Sequence, residues 1–264
     1  MKHLLTSHWR YRQLVASAVA AEFRARFSRS RLGATWLVLH PLAQVLIYAL
    51  VLSTVFSARL PGIAHPQAYA LYLLAGMAAW SLFADVLQRG LAVFVDNGNL
   101  LKKIAFPRIL LPLNLAVSAL VGNLLLLAAT LVVYAFLGHF PLAGIVWLPL
   151  LLLLNLAFAL GLGLILGVLN VFVRDIGQVV PVVMQFAFWC VPVAYVPEIL
   201  PETYRGWLTL NPLYHVIVPY QRALAYGASP EPVSLAVTGL AAIILLAAAL
   251  WLFRRAGPDM VDVL

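Results

Sequence analysis

Few side chains in this sequence could carry chemistry, and their spacing narrows what that chemistry could be. Six histidines (His3, His8, His40, His65, His139 and His215) are scattered, and Cys190 is the sole cysteine. No HExxH, no Gly-x-Ser-x-Gly and no Gly-x-x-x-x-Gly-Lys-Ser/Thr occurs. A zinc hydrolase site, a serine nucleophile elbow and a phosphate-cradling loop are therefore not expected. A lone cysteine leaves no partner for an intrachain disulfide and makes a cysteine-based metal site unexpected. Neither a metal nor a cofactor is expected on this chain. The carboxylates speak against ion coupling: Asp85 falls near the end of an apolar stretch, and Asp96 and Asp175 lie in connections. An ionisable group at mid-membrane costs roughly 2.5–3.5 kcal/mol on insertion scales and is kept for a function, as in proton or sodium carriers. None is centred in a span here, so any transport needs an energy source elsewhere, most simply another polypeptide.

These residues hang on apolar stretches. Six are marked over 35–57, 68–87, 109–137, 142–170, 176–196 and 233–253. Each reaches or slightly exceeds the roughly 20 residues needed to cross a 30 Å hydrocarbon core. Entry of the first span from the cytoplasm puts fourteen of the seventeen lysines and arginines inside, as the positive-inside rule favours. Only Arg59, Arg205 and Arg222 then fall outside. The expectation is an all-α membrane protein with six spans and both termini cytoplasmic. At 64% hydrophobic and 10% charged residues, the chain has no room for an ordinary soluble domain. Its net charge of +8 reads as topology signals facing anionic lipid rather than a nucleic-acid surface. The amino-terminal residues lack an apolar core and a cleavage site, so no signal peptide is expected.

Residues 8–31 are too charged to cross, yet Val15, Val19, Phe23 and Phe27 recur at four-residue spacing with Arg12, Arg24 and Arg26 largely off that stripe. The pattern fits a helix lying in the cytoplasmic interface; the plain alternative is a basic leader that fixes topology. Between spans two and three, Asp96, Asn97 and Asn99 precede Leu100, Leu101, Lys102 and Lys103. Asn97 or Asn99 can cap a short amphipathic helix there that Pro107 would end, either a docking surface or an ordinary positive loop. In span four, Gly163 and Gly167 form a GxxxG pair that lets another helix approach closely. The stretch 196–232 is cut by prolines and dense in tyrosine. Its apolar pieces are too short to cross, so one or two short helices dipping into the outer leaflet are expected. Such broken backbone is tolerated only against protein or a water-filled cavity, which makes this segment a candidate gate at the exit of a pathway.

Three motifs carry a family resemblance. Ser28-Arg29-Ser30-Arg31-Leu32-Gly33-Ala34-Thr35-Trp36-Leu37-Val38-Leu39-His40-Pro41-Leu42, Phe106-Pro107-Arg108-Ile109-Leu110-Leu111-Pro112-Leu113, and Asn211-Pro212-Leu213-Tyr214-His215 followed by Tyr220-Gln221-Arg222 occur in that order. Together they resemble the ABC-2 type permeases that export lipid-linked polysaccharides, O-antigen exporters foremost, with capsule and teichoic acid exporters as near neighbours. The resemblance implies a homodimer in the bacterial inner membrane, paired with two copies of a separate ATPase that binds ATP and Mg. The cargo it implies is a glycan on a polyprenyl diphosphate lipid. On that reading, the segment 96–104 is the helix that couples to the ATPase. The segment 197–222, with Tyr204, Trp207, Asn211, Pro212, Tyr214 and Arg222, is the periplasmic gate. Arg24, Arg26, Arg29 and Arg31 either meet the lipid diphosphate, which a guanidinium fork suits, or only set topology. Tyr48, Phe56, Phe186, Phe188, Trp189 and Tyr195 either line the glycan passage with ring faces or face lipid and neighbouring helices. Competing readings are another amphipathic cargo and, in a different class, a non-transporting membrane scaffold.

Overall fold

Alanine, leucine and small residues after Gln67 favour a long helix, and α1 runs over Ala68–Asp96. The computed structural model describes residues 67–102 and 109–263 continuously, with positions 17, 19–21, 32–36, 38–40, 42, 43 and 47 ahead of them. The interfacial helix and the first span expected over 8–31 and 35–57 lie largely outside the described residues. So do Arg24, Arg26, Arg29, Arg31, Tyr48, Phe56 and Lys103.

The span expected over 68–87 continues nine residues further. Arg89, two residues past the expected end, is accommodated within the helix: its guanidinium pairs with Asp85 at 3.2 Å and donates to the Ser118 hydroxyl. Beyond it Leu91, Val93 and Phe94 keep the buried face going. Asp96 therefore closes α1 rather than opening the next element. The following helix, α2 (Gly98–Leu101), is shorter than the 96–104 stretch expected. Asn97 stands at its N-cap position but does not cap it; the side-chain amide donates back to the Val93 carbonyl at 2.9 Å. Asn99 lies inside α2.

α3 (Leu110–Phe136) ends at Gly138, whose φ of +74° suits glycine. The amides of Gly138 and His139 return to the carbonyls of Ala135 and Tyr134, the Schellman arrangement that satisfies a helix end. Span four, expected over 142–170, is interrupted: α4 (Leu142–Ile145) stops before α5 (Leu148–Phe172) begins. Pro149 in the first turn of α5 has no amide to donate to an earlier turn. The fifth span also differs. α6 (Ile176–Trp189) stops short of residue 196, because Pro192 lacks an amide and disfavours helical geometry in the residue before it. Turns fill residues 190–195. A 3-10 turn (Pro197–Ile199), α7 (Glu202–Leu210) and α8 (Pro212–Leu224) follow. The last helix, α9, covers Pro232–Val263 and outruns the expected end at 253. Its continuation is held where Phe253 stacks on Phe94 at 5.2 Å and the Arg255 guanidinium sits 5.7 Å from the Trp251 ring centre.

Four of these helices (α1, α3, α5 and the 232–257 part of α9) are long and apolar enough to cross a membrane. α1 is the most buried and lies between α3 and α5, with α9 on the far side of α5. Hydrocarbon supplies no hydrophobic drive between helices, so close backbones and side-chain hydrogen bonds must hold the bundle. Both are present. A Cβ on Gly90 of α1 would lie 2.9 Å from the Cα of Gly163, and one on Gly167 would collide with the Gly90 carbonyl. The GxxxG pair thus serves an approach within this chain. Gly161 does the same for α9, its Cβ position lying 2.8 Å from Leu245. Three buried asparagines then donate to carbonyls of α1: Asn123 to Ala78 and Asn155 to Ala79, both at 2.9 Å, and Asn170 to Leu91 at 3.0 Å.

Candidate functional site

The loop-rich end of the bundle is built around the broken backbone after α6. With no helix ladder to join, the carbonyls of residues 190–195 need outside donors. Tyr69 donates to Ala194 at 2.6 Å, and the Tyr72 hydroxyl lies 3.1 Å from both the Pro192 and Tyr195 carbonyls. From the opposite side Gln221 of α8 donates to Pro192 at 2.7 Å. The turn is thereby fixed between α1 and α8, and Gly76 keeps α1 free of a side chain where Gln221 and Val193 press against it.

α8 is set by the Asn-Pro-Leu-Tyr-His motif. The Asn211 side chain accepts the Leu213 amide at 3.0 Å as N-cap, with Pro212 at the first helical position, where its missing amide costs nothing. His215 is buried and doubly tied, through Nδ1 to Ser234 at 3.0 Å and through Nε2 to the Thr209 carbonyl at 2.9 Å. It locks α7, α8 and α9 together, so its imidazole has a structural task. Arg205 secures the preceding turn, donating to the carbonyls of Leu200 and Glu198 at 2.9 and 2.8 Å.

Between α1, the 197–199 turn, α8 and the chain before α9 lies a cavity of about 360 Å³. Tyr72, Tyr214 and Tyr226 supply its aromatic wall, Glu198, Glu231 and Arg222 its charges, and Gln221 lies among them. Tyr72 and Tyr226 meet edge to face with ring centres 6.4 Å apart. Arg222 pairs with Glu231, bridging α8 to the start of α9. Burial raises the hydroxyl pKa of Tyr214 and Tyr226; Glu231 and Glu198 add to it at Tyr214, and Glu198 at Tyr226, while Arg222 opposes in both. Both phenols stay protonated and able to donate.

Of the residues expected at a gate, Tyr214 and Arg222 thus line a cavity, whereas Asn211 and Pro212 shape the helix that carries them. Tyr204 and Trp207 stand apart, 61% and 71% exposed on the outer face of α7. The aromatic residues of the fifth span divide. Phe186 and Trp189 are exposed, Tyr195 is half-buried, and Phe188 is only 7% exposed, packed edge to face on Trp80 at 5.3 Å. In this chain Phe188 is a core residue rather than a free lining face. At the opposite end, Asp96 and Asn97 border a second cavity of about 410 Å³ with Gln88, Arg89 and Asn114. Leu101 of α2 is buried against the bundle, Leu100 is partly so, and Lys102 is exposed. Sequence reasoning did not single out Tyr72, Glu198, Glu231 or Tyr226 as site residues. Tyr72 lies 120 residues from Pro192, a separation across which periodicity carries no signal.

Long apolar helices closed by interhelical asparagines, with a polar aromatic cavity at one end, define a multi-pass membrane protein. The chain belongs to the ABC-2 type transporter family, whose profile matches residues 13–225. It is 29% identical over 264 residues to the O-antigen export system permease protein RfbA of Myxococcus xanthus, covering 99% of each chain. To a protein of the same name from Klebsiella pneumoniae it is 30% identical over 203 residues, 76% of this chain and 75% of that one. The polysialic acid transport protein KpsM of Escherichia coli is 26% identical over 238 residues, 88% of this chain and 89% of that one.

Proposed function

We propose that this chain is the permease subunit of an exporter that carries a lipid-linked polysaccharide of O-antigen type out across the bacterial inner membrane. The observation that carries the reading is similarity along 99% of both chains to a permease named for O-antigen export. Two permease copies form the passage, and two separate ATPase subunits, binding ATP and Mg, drive it. Both termini face the cytoplasm, as do α2 and the turn between α5 and α6. The end that holds the aromatic cavity faces the periplasm.

On this reading α2, with Asn99, Leu100 and Leu101, meets the ATPase together with Lys102 and Lys103, which follow it in sequence; Leu101 anchors the helix to the bundle while Lys102 stays available outside. The exposed rings of Phe186 and Trp189 belong to the face turned to the passage or to the second copy. With Tyr48 and Phe56 they offer faces on which sugar C–H surfaces pack. Arg24, Arg26, Arg29 and Arg31 receive the diphosphate of the polyprenyl carrier. The short helices α7 and α8 form the gate on the periplasmic side.

Deleting the gene and restoring it on a plasmid tests this. The expected outcome is loss of surface polysaccharide with lipid-linked polymer accumulating inside, reversed by the wild-type gene. A normally coated deletion strain would overturn it. The relation to the polysialic acid protein KpsM favours capsular polymer as the second reading, and analysis of the accumulated glycan separates the two.

A further inference from the structure

We propose that the cavity between α1, the 197–199 turn and α8 is a binding subsite for one or two uncharged sugar units of the exported polymer. The inference rests on the export reading above and adds to it a place and a preference. At about 360 Å³ the cavity falls in the range of roughly 300–1,000 Å³ typical of small-molecule sites. Its lining alternates what a pyranose presents. Tyr226, half-buried and set edge to face on the buried Tyr72, offers ring surface to an apolar C–H face, as does the half-buried Tyr214. Glu198 and Glu231 accept hydrogen bonds from hydroxyl groups, and the protonated Tyr214 and Tyr226 donate them.

Gln221 and Arg222 back this lining from α8: Gln221 is 1% exposed with its Nε2 committed to Pro192, and the Arg222 guanidinium pairs with Glu231. The charges define the guest further: two carboxylates against one guanidinium disfavour an anion, so a diphosphate or an acidic sugar is rejected and a neutral hexose or N-acylated amino sugar is taken.

The test uses the full permease with its ATPase partner in lipid nanodiscs and saturation-transfer NMR. The probe is a set of oligosaccharides released by mild acid from the host cell's own surface polysaccharide, with an oligosialic acid of matching length beside it. Expected are transfer to the neutral fragments, little to the oligosialic acid, and binding about tenfold weaker in Tyr226→Ala and in Glu198→Gln, a loss of one to two hydrogen bonds. Glu198→Gln guards against misfolding, since its side chain is exposed and the backbone carbonyl that Arg205 uses remains. Equal binding by both variants, equal transfer to oligosialic acid, or no transfer at all (water alone filling the cavity) would overturn the subsite. Any of these leaves the export reading standing, because that reading is decided by the deletion strain.

Discussion

Gly90 and Gly163 meet backbone to backbone: a Cβ on the first would stand 2.9 Å from the Cα of the second. At a contact this close neither helix can withdraw, since α1 is flanked on its other side by α3 and α5 by α9. Gly90→Ala is expected to destabilise the protein by about 1–3 kcal/mol through overpacking, read as a lower melting temperature in detergent. Gly206→Ala on α7, where nothing lies within 4 Å, should be neutral or slightly stabilising, since alanine is the better helix former.

Tyr72→Phe removes the hydroxyl that meets the Pro192 and Tyr195 carbonyls; Pro192 keeps Gln221 as a donor, whereas Tyr195 loses the one from Tyr72. The expected cost is about 1–3 kcal/mol. The neighbouring Cys190 is exposed and is the only cysteine in the chain. Its labelling by a maleimide should therefore report loosening of the turn directly, as a rate higher in the variant than in wild type.

Phe188 and Phe186 should separate stability from transport. Phe188→Ala empties a site packed on Trp80 and should cost about 3–5 kcal/mol. Phe186→Ala and Trp189→Ala, at exposed positions, should leave the stability within about 0.5 kcal/mol of wild type while lowering polysaccharide export. Export at wild-type level in both would remove these rings from the passage.

Lys102→Glu alters the exposed end of α2 without touching the buried Leu101. Reduced co-purification of the ATPase, with normal membrane insertion of the permease, is the expected outcome. Leu101→Ala should instead weaken the permease itself by about 2–5 kcal/mol.

Alkaline pH should act on the tyrosine-lined end first. Tyr214 and Tyr226 have raised pKa values in the folded protein, so the folded state keeps phenol protons that the unfolded chain has lost above its usual value of about 10. Stability from these groups is complete below that pH and declines as pH rises through the folded values. A melting series from pH 7 to 11 in detergent should be flat at first and fall only above about 10. Substituting phenylalanine at both positions should make that fall smaller.

The long helices were legible because hydrocarbon demands uninterrupted apolar runs, and the runs at 68–87, 109–137 and 142–170 correspond to α1, α3 and α5. Boundaries were less so, for reasons that lie outside any one segment. Arg89 looks like a membrane edge until Asp85 and Ser118 are seen to satisfy it. The interruption before α5 and the early end of α6 follow from Pro149 and Pro192. The inward turn of Phe188 depends on where Trp80 lies, and the cavity depends on Tyr72 meeting residues far along the chain. Local pattern contains neither fact. The motif Asn211-Pro212-Leu213-Tyr214-His215 was recognisable as a unit, but the division of labour inside it (cap, helix start, cavity wall, bracket to α9) appears only in three dimensions.

The stretch after α6 is moored by a handful of side-chain tethers from Tyr69, Tyr72 and Gln221 instead of a repeating ladder of amides. A ladder yields as a whole, but separate tethers can be cast off one at a time. Displacing any one of those groups therefore frees only the carbonyls it serves, while the others and the fully buried Val191 and Val193 still hold the chain.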